Sequence, residues 1–513
     1  VNRRAVTALA VVVAWVAGIG MLVRREYFRP HIERLAEAAL RVQPAAVFYA
    51  VLQGDRQVGF ASSTIDTSSA MIEQRDYLVA DIPIGGSVRR TEARTHVVLT
   101  RTLRVRTFDL DFSSDRSPMR VRGEVSGDTV LTVMVGSGAS IDTQRVALLG
   151  PILLPTLAPL AVALEEKPTI GRSYVLPLFD PAALAPRDVR IDVRAESLFV
   201  VNDSSVFDSA TTRWRGVLPD TVRGWQIASQ SGVGIAGWVD QQGRLVASSQ
   251  FGFRLERRPY EVAFENWRLQ TEGEAGDAAR ARPVDPARDV LETTAIGANK
   301  RLRTSMSEMR VRLSGASLQG FDLDGGRQRL LGDTLVVVRE TAQALSPRYI
   351  AGDGSTRPDT RAEPFLEVAH PEIAALARRL AAGSRDPRVI AQRINAWVHD
   401  SLEKTVTIGI PSALHVLHTR RGDCNEHAQL FVALARAAGV PARVASGLAH
   451  VDGKFYYHAW PEVRLRSWVA VDPTFGQFPA DAAHLRFVTG GFGRQVELLR
   501  LIGNLRIDVI ETR

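Results

Sequence analysis

A single cysteine in 513 residues narrows the available chemistry at once. Cys424 rules out intrachain disulfides and any cysteine-rich zinc or iron–sulfur site, so whatever it does, it does as a thiol. The run from Thr419 to Gly439 places it at the start of a helix. Asp423 and Glu426 stand at capping-box spacing, with Asp423 as N-cap. Leu430, Phe431, Leu434 and Ala438 then form a buried stripe, and Gly439 followed by Pro441 ends the helix. The free N–H groups and positive dipole end at such a tip favour the thiolate, which is the nucleophilic form.

A thiolate that attacks a carbonyl needs a proton shuttle beside it. Ala442 to Val451 and Lys454 to Arg464 read as strands joined by Asp452-Gly453, a two-residue hairpin signal. Trp468 to Asp472 reads as a third strand, returning after a turn near Leu465. A turn centred on Leu465 sets His458 directly opposite Asp472 on one face of the sheet. There a carboxylate fixes the imidazole tautomer and stabilises the imidazolium. The same arithmetic across the first hairpin sets Gly447 opposite His458, where a glycine leaves space beside the ring. Cys424, His458 and Asp472 therefore form a candidate triad of nucleophile, base and orienter. In the expected reaction the Cys424 thiolate attacks a carboxamide or peptide carbonyl to give a thioester, and His458 protonates the leaving amine. The Cys424 N–H serves as one oxyanion donor, with Thr419 or His418 as candidates for the second. His427 is expected to pack beside the site, and His415, His418 and His450 to be loop or surface residues. Trp460 and Trp468 are expected to wall the cleft or fill the core.

Three segments carry a resemblance: Arg-Gly-Asp-Cys424-Asn-Glu-His-Ala, Tyr457-His458-Ala459-Trp460-Pro-Glu462-Val, and Trp468-Val-Ala-Val-Asp472-Pro473-Thr474-Phe475-Gly476-Gln477. With 34 residues from cysteine to histidine and 14 from histidine to aspartate, they resemble the three core motifs of the transglutaminase-like superfamily. The resemblance covers about Pro371 to Gly490. It implies a papain-like domain of helices packed on an antiparallel sheet, with Cys424 as nucleophile, His458 as base and acid, and Asp472 as orienter. It implies no cofactor and no metal, and the calcium dependence of animal transglutaminases has no counterpart here. Water as second nucleophile gives a hydrolase and an amine gives a transamidase. Bacterial members more often look like proteases or amidases, so hydrolysis of a peptide, protein or cell-wall amide is the preferred expectation. Pro461 departs from the pattern, standing where a strand would donate an N–H, and points to an edge or bulge. Two other functions stay open: a non-catalytic scaffold of the cell envelope, and a lipid or peptide carrier working through the β-rich half.

The elements that must position these residues fill the rest of an α+β chain. Ala5 to Val23 is uncharged and flanked by arginines, and 19 residues span about 28 Å as a helix, enough for a bilayer core. Residues 1–30 are therefore expected to be a retained membrane anchor, with the soluble part outside the cytoplasm. Residues 31–270 read as a β-rich accessory domain. Val47–Leu52, Thr95–Leu99, Val130–Val135 and Asp188–Val193 are its clearest strands, broken by turns at Gly54-Asp55, Gly85-Gly86 and Gln242-Gly243. The sheet is expected to be antiparallel and curved over the proline-rich apolar run Val146 to Leu164, which proline bars from spanning a membrane as a helix. Residues 271–360 read as a linker and a small β-rich section, with Met309–Leu313 and Thr334–Val338 as strands. Residues 361–490 form the thiol domain and 491–513 a C-terminal tail.

Within the thiol domain, Pro371 opens a helix buried through Ile373, Leu376 and Leu380 up to Gly383. Asp386-Pro387 caps the next, buried through Ile390, Ile394, Trp397 and Val398. Gly232 to Gly237 matches the GxGxxG pattern, but a hairpin follows it instead of a helix, so it is not a dinucleotide site. Asp322 to Gly326 lacks the later ligands of a calcium loop and reads as a turn. The formal charge of +8 rests almost entirely on arginine, since all but four of the 64 basic residues are Arg. They are scattered among 56 acids without long runs, which argues against a nucleic-acid partner.

Overall fold

The computed structural model describes residues 39–513 apart from 41, 115–116, 138–139, 166, 181–183, 230–234, 251, 272–282, 301, 304, 353–359, 364, 408 and 410–411. The expected membrane anchor, the first half of the GxGxxG match and much of the expected linker lie outside the described residues. Among the described residues no helix is long and apolar enough to cross a membrane.

Turn chemistry lays the N-terminal half out as two meanders. The first runs from β1 (Ala45–Gln53) and β2 (Arg56–Thr67) through β3 (Met71–Ile84) and β4 (Ser87–Thr100) to β8 (Ser140–Ala147). The second runs from β9 (Ser173–Asp180) to β14 (Phe253–Arg258), and β1 pairs with β14 to make one antiparallel sheet of fourteen strands. The stretch after the GxGxxG match is a hairpin, β12 (Ala236–Val239) and β13 (Leu245–Gln250), as expected from its turn. The apolar run after β8 folds into loops and the short helix α1 (Ala158–Glu165). Leu153, Leu154, Leu157 and Val162 from that segment pack with Val97, Leu131, Ile191 and Ile227 of the sheet, so the run is core.

Helices take over at α2 (Pro371–Ala381), whose first residue is proline and whose C-cap Ala382 is left-handed. In α3 (Pro387–Ser401) the Asp386 side chain accepts from Arg388 N and Val389 N. The helices α4 (Ala413–Thr419) and α5 (Cys424–Ala437) follow. Two-residue strands β19 (Glu403–Lys404) and β20 (Arg421–Gly422) pair in parallel just before α5. These helices bury Ile373, Ile394, Val398, Leu430 and Phe431 against Val444, Val463 and Val469 of a second sheet.

That second sheet contains β21 (Ala442–Val451), β22 (Lys454–Arg464), β23 (Trp468–Ala470) and β24 (His484–Thr489), with the short β15 (Ile296–Gly297) at one end. Its order is β15-β22-β21-β24, with β23 also on β22. The Asp452-Gly453 turn joins β21 to β22, with both residues at positive φ (46° and 89°), the conformation a two-residue hairpin requires. The other face of this sheet packs on a third. That sheet has the order β17-β18-β16-β25, from β16 (Glu308–Ser314), β17 (Gln328–Leu331), β18 (Thr334–Val338) and β25 (Arg506–Thr512). Val311, Leu335 and Val509 meet Leu448, Phe455 and Leu485 there. The C-terminal segment is thus not a free tail. Alternating Ile507 and Val509 face this core, and burying them holds the segment along β16.

Candidate active site

Cys424 is the first residue of α5 and partly exposed. Its position is fixed by the expected capping box. The Asp423 side chain accepts from Asn425 N at 2.9 Å, and the Glu426 carboxylate accepts from Asp423 N at 2.9 Å. Thr407 holds the back of this cap by donating its hydroxyl to Glu426 Oε1 at 2.7 Å.

The sheet meets the helix tip along one edge of β22. On that edge β15 pairs with Lys454 and Phe455, and β23 pairs with Glu462 to Arg464, leaving His458 and Ala459 without a strand partner. The Ala459 N–H donates instead to the Cys424 sulfur, which places the thiol beside the residue that follows His458. Pro461 closes this stretch, and its carbonyl accepts from Val471 N at 2.9 Å just beyond β23.

The imidazole of His458 donates through Nε2 to Asp472 Oδ2 at 2.7 Å. The opposed register expected for this pair is not the one observed. β22 and β23 pair as Arg464↔Trp468 and Glu462↔Ala470, so the turn is centred on Arg466, one residue later than expected. Leu465 is 2 % exposed, drawn into the helix-side core, and the exposed Arg466 takes the apex. The shift moves the partner by two positions. It keeps side chains on the same face, so the two groups still meet diagonally.

Asp472 is fully buried, and all its acceptor directions are filled. Oδ1 takes Thr474 N at 2.7 Å and Phe475 N at 3.1 Å, while Oδ2 takes His458 and also His484 Nε2 at 2.9 Å. Burial alone would push the Asp472 carboxyl up, but the neighbouring charge and hydrogen bonds of His458, with those of His484, hold it well below the usual carboxylate range.

His484 is the residue that sequence reasoning missed. It opens β24 at 2 % exposure, with its second nitrogen 3.1 Å from Asp481 Oδ1. Two carboxylates on two ring nitrogens require two N–H donors, so this ring is an imidazolium. Burial opposes that charge, yet Asp472 and Asp481 raise its pKa above the ordinary histidine value. Asp481, held below its ordinary value against burial by the same imidazolium, was missed with it. The only sequence signal was a histidine opening a short apolar run 12 residues after Asp472.

Rings enclose His458. Phe475 stacks on His458 at 4.8 Å between centroids and 10°, and Trp460 stacks at 5.9 Å. Trp460 is buried, whereas Trp468 lies half-exposed under the Arg443 guanidinium. The Phe475 loop is anchored by His399, whose Nδ1 lies 2.9 Å from the Pro473 carbonyl. His427 packs beside the site, as expected, with Nδ1 bonded to the Asp423 carbonyl at 2.6 Å and Nε2 without a partner. Burial pushes its pKa down, so it is the neutral ring.

Three expectations are corrected here. His418 is exposed and paired with Glu372 at 2.9 Å, and the Thr419 hydroxyl donates to the His415 carbonyl at 3.0 Å, so neither serves as an oxyanion donor. Gly447 does lie opposite His458, but its reason is on the other side: a Cβ there would come within 2.0 Å of the Leu485 carbonyl on β24. And the helix tip does not leave the thiol acidic. Burial, then the Asp423 carboxylate, push the Cys424 pKa well above the ordinary thiol value, so the sulfur carries its proton until a base removes it.

His458, Asp472 and His484 place three possible metal-ligating atoms within 4.8 Å of one another. The hydrogen bonds just described account for that clustering without an ion.

Residues 374–473 match the family model of the transglutaminase-like superfamily. This stretch is a transglutaminase-like domain. An uncharacterised protein of Mycobacterium leprae (strain TN) is 31% identical over 114 residues, which is 20% of this chain and 40% of that protein. The matched region therefore spans less than half the length of that relative. Among solved structures, a candidate cysteine protease from Cytophaga hutchinsonii is similar at 15% identity and TM-score 0.28, covering 40% of this chain and 86% of its own. The periplasmic domain of TgpA from Pseudomonas aeruginosa, bound to ethylmercury, is similar at 20% identity and TM-score 0.23, covering 36% and 84%. Overlaps this loose say nothing about activity or substrate.

Proposed function

We propose that the transglutaminase-like domain is a thiol-dependent acyl-transfer enzyme, with Cys424 as nucleophile, His458 as base and acid, and Asp472 as orienter. The observation that carries this reading is the arrangement around β22. His458 donates to a buried Asp472 at 2.7 Å, and the next residue's N–H reaches the Cys424 sulfur. A thiol whose pKa is pushed up needs a base in contact, and the orientation of His458 by Asp472 leaves its Nδ1 free for that task. Attack on an amide carbonyl forms the thioester as the Cys424 proton passes to His458. The imidazolium, held by Asp472, then delivers that proton to the leaving amine. Water completes a hydrolysis and an amine completes a transamidation; hydrolysis of a peptide or cell-wall amide, outside the cytoplasm and next to a membrane, is the reading preferred here.

The test is intact-protein mass spectrometry after mixing with glutamine peptides and cell-wall peptides. An acyl adduct should appear on the native chain and be absent from Cys424→Ala. Release of free acid in water, rather than of a cross-linked product in added amine, decides for hydrolysis. Absence of any adduct across the panel, with Cys424 also inert to iodoacetamide, would overturn the enzymatic reading.

A further inference from the structure

The large sheet holds a cavity that thiol chemistry does not use. On the face of β1 to β4 that turns toward α1, Ala61, Ser63, Ala93 and Thr95 are too small to close the space. About 340 Å³ remains, the size of a small-molecule site, with Leu78, Leu160, Leu245 and Leu255 among its walls. One charge in it is unmatched. Asp76 lines the cavity and, among the described residues, accepts only from neutral groups, Ser63 Oγ at 2.6 Å and Gln74 Nε2 at 3.1 Å. Burial pushes its carboxyl up, with no cation among the causes. Gln74, 5 % exposed and also on the wall, leaves its Oε1 without a hydrogen-bond partner. Arg244, the other charged group lining the space, is already held by Asp240 at 2.7 Å.

A half-buried carboxylate beside a spare carbonyl oxygen, at one point of an apolar cavity, is complementary to a group that brings several N–H donors and a positive charge. We propose that this cavity binds a cationic amphiphile, a protonated amine on a short apolar chain. The ammonium group bonds Asp76 and Gln74 Oε1, and the chain lies along Leu78, Leu160 and Leu245. This site is independent of the thiol chemistry and stands or falls separately from it.

Calorimetric titration of the full chain at neutral pH with octylamine, octanol and octanoate tests it. Octylamine should bind saturably at one site, with octanol and octanoate weaker by about tenfold or more. Asp76→Asn should bring octylamine down to the level of octanol. Ala93→Leu, which fills the cavity, should remove all binding while the melting temperature holds. Octanol or octanoate binding as tightly as octylamine, octylamine binding unchanged in Asp76→Asn, or no saturable binding by the native chain would each overturn the proposal. The comparison of the three ligands on the native chain decides even if a variant fails to fold.

Discussion

At the residue scale the site is a row of polar groups running from Cys424 through His458 and Asp472 to His484 and Asp481. The thiol's raised pKa makes the base indispensable. Iodoacetamide should label Cys424 at neutral pH in the native protein, whereas in His458→Ala labelling should need alkaline pH, above the ordinary thiol range; equal rates at pH 7 would contradict this. Loss of the base should lower kcat/KM by roughly 10²- to 10⁴-fold. His484 touches no reacting atom, so its effect passes through Asp472. His484→Gln should lower kcat with KM nearly unchanged. It should also move the acid limb of the pH–rate profile to higher pH, because a positive charge beside Asp472 has gone; a merely structural role would leave that limb in place.

The same pair sets the stability profile. The depressed Asp472 contributes above the unfolded carboxylate value of about 4 and fails as pH falls through its folded value. The raised His484 contributes fully below the unfolded histidine value of about 6.5 and is lost as pH rises through its folded value. Melting temperature should therefore peak on the mildly acidic side, and His484→Gln should flatten the alkaline fall.

At the element scale the decisive feature is the unpaired edge of β22, which lets the tip of α5 approach the strand. The capping box points that tip at the edge. Asp423→Ala should cost about 1–2 kcal/mol, read from denaturant unfolding. On the other edge, β24 passes so close to Gly447 that only glycine fits. Gly447→Ala should push β24 away, and His484 with it, costing about 1–3 kcal/mol and lowering kcat together. Helix ends, caps and the Asp452-Gly453 hairpin were legible because each is encoded by residues a few positions apart. The β22–β23 register was misplaced by two because Leu465 was assigned to the turn on local signals, when its burial in the helix-side core decides otherwise.

At the scale of the whole molecule the sheet that carries His458 lies between helices on one face and the third sheet on the other. That third sheet also reaches into the site. Arg327 donates from Nη2 to the Ala480 and Asp481 carbonyls, and Gln328 bonds Arg486 in both directions, at 2.9 and 2.6 Å. These contacts hold the loop that presents Asp481 and His484. Truncation after Asn504 should remove β25, expose Val311 and Leu313, and abolish cooperative unfolding of the thiol domain, although the family match ends at residue 473. A truncated chain that melts like the native one would refute this.

Short-range information carried the helix of Cys424, its cap, both strands of the hairpin and the shared sheet face of His458 and Asp472, because each signal lies within one element or its turn. What sequence could not reach was the second imidazole on Asp472, the surroundings that push the Cys424 thiol pKa up, and the return of residues 506–512 to strand β16. Each depends on groups that meet only when separate layers close on one another. Burial and neighbouring charge set the directions in which the pKa values of Cys424, Asp472 and His484 move.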